Sequence, residues 1–355
     1  MKIIALECWK QEFLLKESYS IAYEQVSQCT NVFLKVTTDT HITGWGCAAP
    51  DFQVTGESAE TVAEVFGNTV EPVLKGENPF RYAFIMDVIK KQIPLHPSAM
   101  AMADMALYDI MSQHAKVPLF QLLGGYRDKI ATSITIGILP LEDTLAKAKK
   151  SIAQGFKNLK LKGGKNVEED IEKVIRIREV AGSAINIRFD ANQGYSVEEA
   201  IHFINRTKTS EVEIFEQPTD KKNDALIKEV TGRVHVPVMA DEALVTLKDA
   251  FRLTSSNSMD MINIKLMKVG GITEAMHVNS VAKAAGIEAM VGCMDESALG
   301  IAAGLHFALS KPNIIYADLD GHLDFIDDPF ADMLRIEKGV MYPSELPGLG
   351  VVKQK

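Results

Sequence analysis

INIRFDANQG (185–194), VEIFEQP (212–218) and VPVMADEAL (236–244) decide the fold. Each opens as a short run rich in Ile, Val, Phe and Met and closes on an acid, namely Asp190, Glu216 and Asp241. Brief apolar runs that stop at polar residues read as strands buried on both faces, the kind that parallel sheets contain. Working outward, the same unit recurs: SITIG and FKNLKLK come before, and MINIKLM, IEAMVGCM and IIYADLD after. One mark from each run gives Thr135, Lys160, Asp190, Glu216, Asp241, Lys265, Cys293 and Asp318, in steps of 24 to 30 residues. Between them lie segments such as EEDIEKVIRIREVAG (168–182) and GGITEAMHVNSVAKAAG (270–286), whose apolar spacing fits amphipathic helices. Alternating strands and helices of this kind predict an α/β fold, a TIM-type (β/α) barrel of seven to eight units. An open doubly wound sheet is the alternative, and near-equal units argue for closure.

Outside the repeat, residues 1–50 read as strands, and residues 58–76 as a helix opened by Ser58 and interrupted at Pro72. Residues 97–115 read as a long apolar helix in which Asp104 and Asp109 are packing residues with partners, because a buried carboxylate needs them. This divides the chain into a cap (1–125), a catalytic barrel (126–322) and a tail returning to the cap (323–355). The full length of 355 residues, with 46% hydrophobic and 24% charged, is that of a globular protein with a large core. A net charge of −9 is a poor match for nucleic acid or an anionic membrane surface. Four scattered cysteines without a C-x-x-C pair, and a start without an apolar leader, point to the reducing cytoplasm.

Three acids at three adjacent strand ends converge at the barrel mouth. They would repel one another unless a cation sat among them, and all-oxygen ligands favour a hard ion such as Mg²⁺, one per subunit. Lys160 and Lys162 are two apart, so both point to one face of the second strand, and Lys265 ends the sixth. Strands two and six lie opposite each other in a ring of eight. A substrate carboxylate on the metal would then hold its α-carbon between Lys162 and Lys265. One base on each face lets a proton leave one side and return on the other, a 1,1-proton transfer. The base must be neutral, and Lys160 and the metal supply the positive charge that lowers the pKa of Lys162. Lys157, Lys165 and Lys268 are expected to be solvated or structural.

These motifs (KLKGG at 160–164, DANQG at 190–194, EQP at 216–218, ADEA at 240–243 and NIKLMKVGGI at 263–272) closely resemble the enolase superfamily, muconate-lactonising subgroup. GWGCAAP (44–50) and TGE (55–57) resemble its capping domain, PLFQLLGG (118–125) its entry to the barrel, and PGLGV (347–351) the strand that returns to the cap. The resemblance implies Asp190, Glu216 and Asp241 as Mg²⁺ ligands and Lys162 and Lys265 as the acid/base pair. Cycloisomerases, o-succinylbenzoate synthases and epimerases share these motifs. The DLD at 318–320, with VGCMDES at 291–297, resembles the dipeptide epimerases, in which such aspartates hold the substrate's ammonium and the C-terminal residue is epimerised. By the same resemblance Thr135, Lys160, Cys293, Met294, Asp295, Asp318 and Asp320 contact substrate.

L-Ala-D/L-Glu epimerases carry an arginine in the capping loop. SYSIAYEQVSQ (18–28) has Glu24 instead and no Arg or Lys between Glu17 and Phe33, and Cys47 stands where an acid is common. The expected reaction is therefore epimerisation of Ala-Xaa dipeptides with a small, apolar or neutral polar Xaa, such as Ala-Ala, with a cationic residue paired to Glu24 as the lesser reading. Alternatives are an L-Ala-D/L-Glu epimerase or a muconate cycloisomerase- or o-succinylbenzoate synthase-like enzyme. A homo-oligomer is expected, with no nucleic-acid or membrane partner. A zinc hydrolase would want histidines on the first strand, and ITIG has none.

Overall fold

A computed structural model describes residues 1–21 and 25–351. Glu24, expected to face the substrate, lies outside the described residues.

The chain opens with an antiparallel sheet of β1 (Ile3–Ser20), β2 (Gln25–Thr38) and β3 (Thr43–Ala48), in that order. After the short β4 (Ile130–Ala131) come the eight barrel strands. These are β5 (Ile134–Ile136), β6 (Asn158–Lys162), β7 (Asn186–Asp190), β8 (Val212–Glu216), β9 (Val238–Ala240), β10 (Met261–Lys265), β11 (Glu288–Gly292) and β12 (Ile314–Asp318). They form one parallel sheet in chain order. The ring closes where Thr132 bridges Ala317 and Ser133 N–H donates to Ala317 O at 3.1 Å. The expected barrel is therefore present, with all eight units.

The helix at Ser58 starts as read: Ser58 and Thr61 form a reciprocal capping box. It is not broken at Pro72. Residues Phe66–Val70 widen into a π turn and Glu71–Leu74 resume the helix, so the proline falls at the start of a new segment, where a missing N–H matters little.

The helix Pro97–Ala115 is buried along most of its length between the cap sheet and the barrel. It lies so close to β3 that a Cβ on Gly46 would come within 1.9 Å of Met102 O, which explains the glycines of GWG. Asp104 accepts from Thr273 N–H at 3.0 Å and Oγ1 at 2.6 Å, capping the helix Ile272–Ala284. Asp109 accepts from Trp45 N–H at 2.9 Å and Leu349 N–H at 2.7 Å. Both are the structural carboxylates expected.

Burial pushes Asp109 up to about 7 against these hydrogen bonds. A carboxyl whose folded pKa lies above its unfolded value favours the fold most at low pH, and that contribution fades as pH rises through about 7. Asp109→Asn should therefore flatten the stability–pH curve between about pH 4 and 7. Asp109→Ala, which orphans two buried N–H groups, should lower stability by roughly 2–4 kcal/mol in urea unfolding.

The tail differs from expectation in one respect. PGLGV forms no strand with the cap: Gly348 makes a single bridge to Pro118, and Gly348 and Gly350 both have positive φ (77° and 85°), which interrupts pairing. It still meets the cap, since Gly348 N–H donates to Val117 O at 3.0 Å and its carbonyl accepts from Leu119 N–H at 2.9 Å, and further contact comes earlier in the tail. Phe325 stacks on Phe13 with centroids 4.6 Å apart, and Phe330 packs on Phe33 and Trp45. Strands β13 (Arg335–Glu337) and β14 (Val340–Tyr342) pair with each other, and β14 pairs in turn with β4. Among the described residues no helix is long and apolar enough to cross a membrane.

Candidate active site

Register puts the chemistry at one end of the barrel. Lys162 pairs with Asp190 and Asp190 with Glu216, each the last residue of its strand, and Asp241 directly follows β9. One carboxylate oxygen each from Asp190, Glu216 and Asp241 lies within 4.8 Å of the others, all buried. On the far side Lys265 ends β10 and Asp318 ends β12. Strands β6 and β10 stand four apart in the ring, so Lys162 and Lys265 approach from opposite walls.

Each amine holds a carboxylate. Lys162 Nζ lies 2.7 Å from Asp190 Oδ2 and Lys265 Nζ 2.8 Å from Asp241 Oδ2. Lys160, only 1% exposed, lies 3.1 Å from Asp190, 2.7 Å from Glu216 and 2.9 Å from Asp318. It is therefore a bridge between the acidic trio and the eighth strand rather than a free contact.

The charges sort themselves unevenly. Burial raises all three carboxyls, but Lys162 and Lys160 overcome it at Asp190, and Lys265 and Lys268 at Asp241, so both are held below the ordinary range. Glu216 is pushed up to about 8 by burial and by Asp190, despite Lys160. Crowded like charges of this kind are what a dication relieves. The donor set fits a hard cation: it is all oxygen, and the buried Glu242 Oε2, Asn192 Oδ1 and Asn263 Oδ1 beside it have no hydrogen-bond partner. Burial works against the Lys265 ammonium, yet Asp241 outweighs it and holds the pKa above normal. Loss of that proton therefore requires Asp241 to be engaged elsewhere.

Of the three lysines expected to be solvated or structural, Lys268 is the structural one: it is buried, and its Nζ is ion-paired with Asp241. The turn Leu266–Val269 after β10 curls it back under the site. Lys157 and Lys165 are exposed, as expected. Asn192 and Glu242 were missed as site residues. Both sit inside the quoted DANQG and ADEA motifs, and only their position beside the acids could have flagged them.

The remaining expected residues line the same cavity: Thr135, Cys293, Met294, Asp295, Asp318 and Asp320. Asp318 Oδ1 accepts from Ser133 Oγ at 2.7 Å, and Asp320 Oδ2 accepts from Thr135 N–H at 2.5 Å. Lys160 and the Ser133 hydroxyl hold Asp318 down to about 2 against its burial, whereas burial and Asp318 push Asp320 up to about 7. Asp295 takes the Tyr19 hydroxyl at 2.7 Å, joining the cap to the seventh-strand turn. Asn31 clamps that turn from β2, donating to Asp295 O at 3.0 Å and accepting from Ser297 N–H at 2.7 Å. Cys47, buried, donates to the same Asn31. Asp51 and Asp324 add two more carboxylates to the wall, and the nearby Lys147 is paired with Glu17 at 2.7 Å.

Residues 6–124 match the mandelate racemase / muconate lactonizing enzyme N-terminal domain, and residues 143–354 the enolase C-terminal domain-like family. The chain is 40% identical to an L-Lys-D/L-Arg epimerase of Desulforapulum autotrophicum, over 99% of each protein. It is 37% identical to the L-Ala-D/L-Glu epimerase of Bacillus subtilis, over 99% of this chain and 97% of that protein. A substrate-liganded structure of the Bacillus subtilis enzyme superposes with a TM-score of 0.97, covering 99% of each chain. It is also 36% identical, over 99% of each protein, to a hydrophobic dipeptide epimerase of Enterococcus faecalis. A dipeptide epimerase structure from the same organism, holding Mg and L-Leu-L-Tyr, gives a TM-score of 0.95 at 35% identity and 99% coverage of each chain.

Proposed function

Because the chain belongs to the dipeptide epimerase family of the enolase superfamily, we propose that it inverts the α-carbon of the C-terminal residue of Ala-Xaa dipeptides. Xaa is small, apolar or neutral polar, with Ala-Ala the representative case. Asp190, Glu216 and Asp241 would hold one Mg²⁺ per subunit. When bound, the ion supplies positive charge to the substrate carboxylate, which stabilises the charge that develops as the α-proton leaves.

The observation that carries this reading is the placement of Lys162 and Lys265 on opposing strands, each against a different member of the acidic trio. One amine takes the α-proton from one face while the other delivers a proton to the opposite face. For Lys265 to act as base, the hold of Asp241 on its ammonium must be relieved, as engagement of Asp241 by the cation would do. Asp318 and Asp320 receive the substrate's ammonium. A carboxylate has about four lone-pair sites, so Asp318 retains capacity beyond its bonds to Ser133 and Lys160. The Cys293–Asp295 turn and Thr135 shape the walls around the peptide.

A second reading has its own support. Asp51, Asp295 and Asp324 line the cavity, and the nearby cation Lys147 is already paired. Such a wall suits a cationic side chain, in line with the activity named for the Desulforapulum relative, and Glu24 in the sequence adds to it. Both readings disfavour an acidic Xaa.

Incubation with Mg²⁺ in D₂O separates them. Ala-Ala should gain a deuteron at the C-terminal α-carbon with inversion, and should exceed Ala-Glu in kcat/KM by at least about tenfold. Preference for Ala-Lys or Lys-Arg over Ala-Ala selects the second reading. A best rate on Ala-Glu overturns both, and no exchange across the set removes dipeptide epimerisation itself.

A further inference from the structure

The interior of the barrel beneath the site holds a buried cation with no part in the proton transfer. Arg188 is 4% exposed and lies on β7 two residues before Asp190, so its side chain also points into the barrel. It pairs with the adjacent strand and also reaches across the interior to the first and last strands. Nε donates to Glu213 Oε2 at 2.8 Å, and Nη1 donates to Ser133 Oγ at 3.2 Å and to Ala317 O at 3.2 Å. The guanidinium also lies 5.1 Å from the centre of the Tyr316 ring. Ser133 Oγ in turn donates to Asp318 Oδ1 at 2.7 Å, while Lys160 holds Asp318 Oδ2 at 2.9 Å.

We propose that Arg188 and Ser133 are positioning residues that fix Asp318 for recognition of the substrate's ammonium group. The inference rests on the ammonium subsite proposed above.

The direction of the relay is set by chemistry. A guanidinium has donors and no acceptor, so the Ser133 oxygen must accept from Arg188. The single Ser133 proton then has two acceptors in reach, Ala317 O at 3.3 Å and the Asp318 carboxylate at 2.7 Å. The charged, nearer acceptor takes it. One oxygen of Asp318 is thereby pinned on the first-strand side. Without that bond the carboxylate would be free to turn both oxygens onto Lys160, whose ammonium already serves Asp190 and Glu216. Its negative charge would be spent on the enzyme's own lysine and withdrawn from the substrate. Strand one, strand three and strand eight are thus joined by one chain of hydrogen bonds that ends at Asp318, where the substrate's ammonium would sit.

The test compares Ala-Ala with propionyl-alanine, the same molecule without its ammonium. The parent enzyme should prefer Ala-Ala. Ser133→Ala should cut that preference about tenfold, mainly through the KM for Ala-Ala, and Ser133→Thr, which keeps the hydroxyl, should restore it. Arg188→Met should act in the same direction. Because a buried arginine supports the fold as well, the serine variants decide. Equal losses on both substrates in Ser133→Ala, or a preference left intact, overturn the inference while leaving the ammonium subsite standing. A parent enzyme that treats the two compounds alike removes the subsite, and the positioning pair falls with it.

Discussion

Lys162→Ala should lose kcat by about 10²- to 10⁴-fold, the usual contribution of a positioned general base or acid, and Lys265→Ala should lose as much. The direction of the residual chemistry is the more telling result. With one amine gone, the other still abstracts a proton from the stereoisomer whose hydrogen faces it. In D₂O it can return a deuteron only to the same face. Each variant should therefore exchange one stereoisomer of the C-terminal residue without inverting it, and the two variants should choose opposite stereoisomers. The expectation follows from β6 and β10 standing across the ring from each other, with Lys162 on Asp190 and Lys265 on Asp241. If either variant epimerised at the parent rate in both directions, or if both exchanged the same stereoisomer, the two-base assignment would be wrong. Lys157→Ala serves as a control, since that side chain is exposed and should leave the rate unchanged.

The barrel was legible because its strands are buried on both faces. Such strands must be short apolar runs, and the closed ring forces their polar ends to one side, so Asp190, Glu216 and Lys265 could be placed from spacing alone. The pairing of charges was not legible. Lys268 follows Lys265 by three residues and could be read only as solvated or structural; the turn Leu266–Val269 folds it onto Asp241, a three-dimensional fact with no period in the sequence. Lys160 is similar. Its position on the inward face of β6 could be read, whereas its simultaneous hold on Asp190, Glu216 and Asp318 depends on four strands meeting. Arg188 and Ser133 carry no motif at all: one precedes DANQG and the other precedes the first strand, and only ring closure brings them together. The π turn before Pro72 was hidden for a different reason. A proline signals that one hydrogen bond is lost, but not whether the helix ends or widens to absorb it.

Removing the middle ligand of the acidic trio should separate two properties that a purely structural cluster would keep together. In the parent, Mg²⁺ at about 100 times its Kd should stabilise the fold by about 2.7 kcal/mol through selective binding to the native state. Glu216→Gln should lose most of that increment along with turnover, because one of three buried ligand oxygens is no longer anionic. The same substitution should help the metal-free protein in neutral and alkaline buffer. Glu216 is pushed up to about 8 by burial and by Asp190. A folded pKa above the unfolded one means that the native state binds the extra proton, so its stabilising effect is complete below about pH 4 and declines as pH rises through about 8. Metal-free parent protein should therefore lose stability over that window, while Glu216→Gln, which cannot ionise, should not. Denaturant unfolding at pH 6 and pH 9, with EDTA and with excess Mg²⁺, gives all the comparisons. A Glu216→Gln protein that is less stable than the parent in EDTA at pH 9, or that still gains the full increment from Mg²⁺, would show that Glu216 serves the fold rather than a cation. The trio's mutual repulsion in the metal-free state is what a bound dication would relieve, and its engagement of Asp190 and Asp241 would loosen their ion pairs to Lys162 and Lys265.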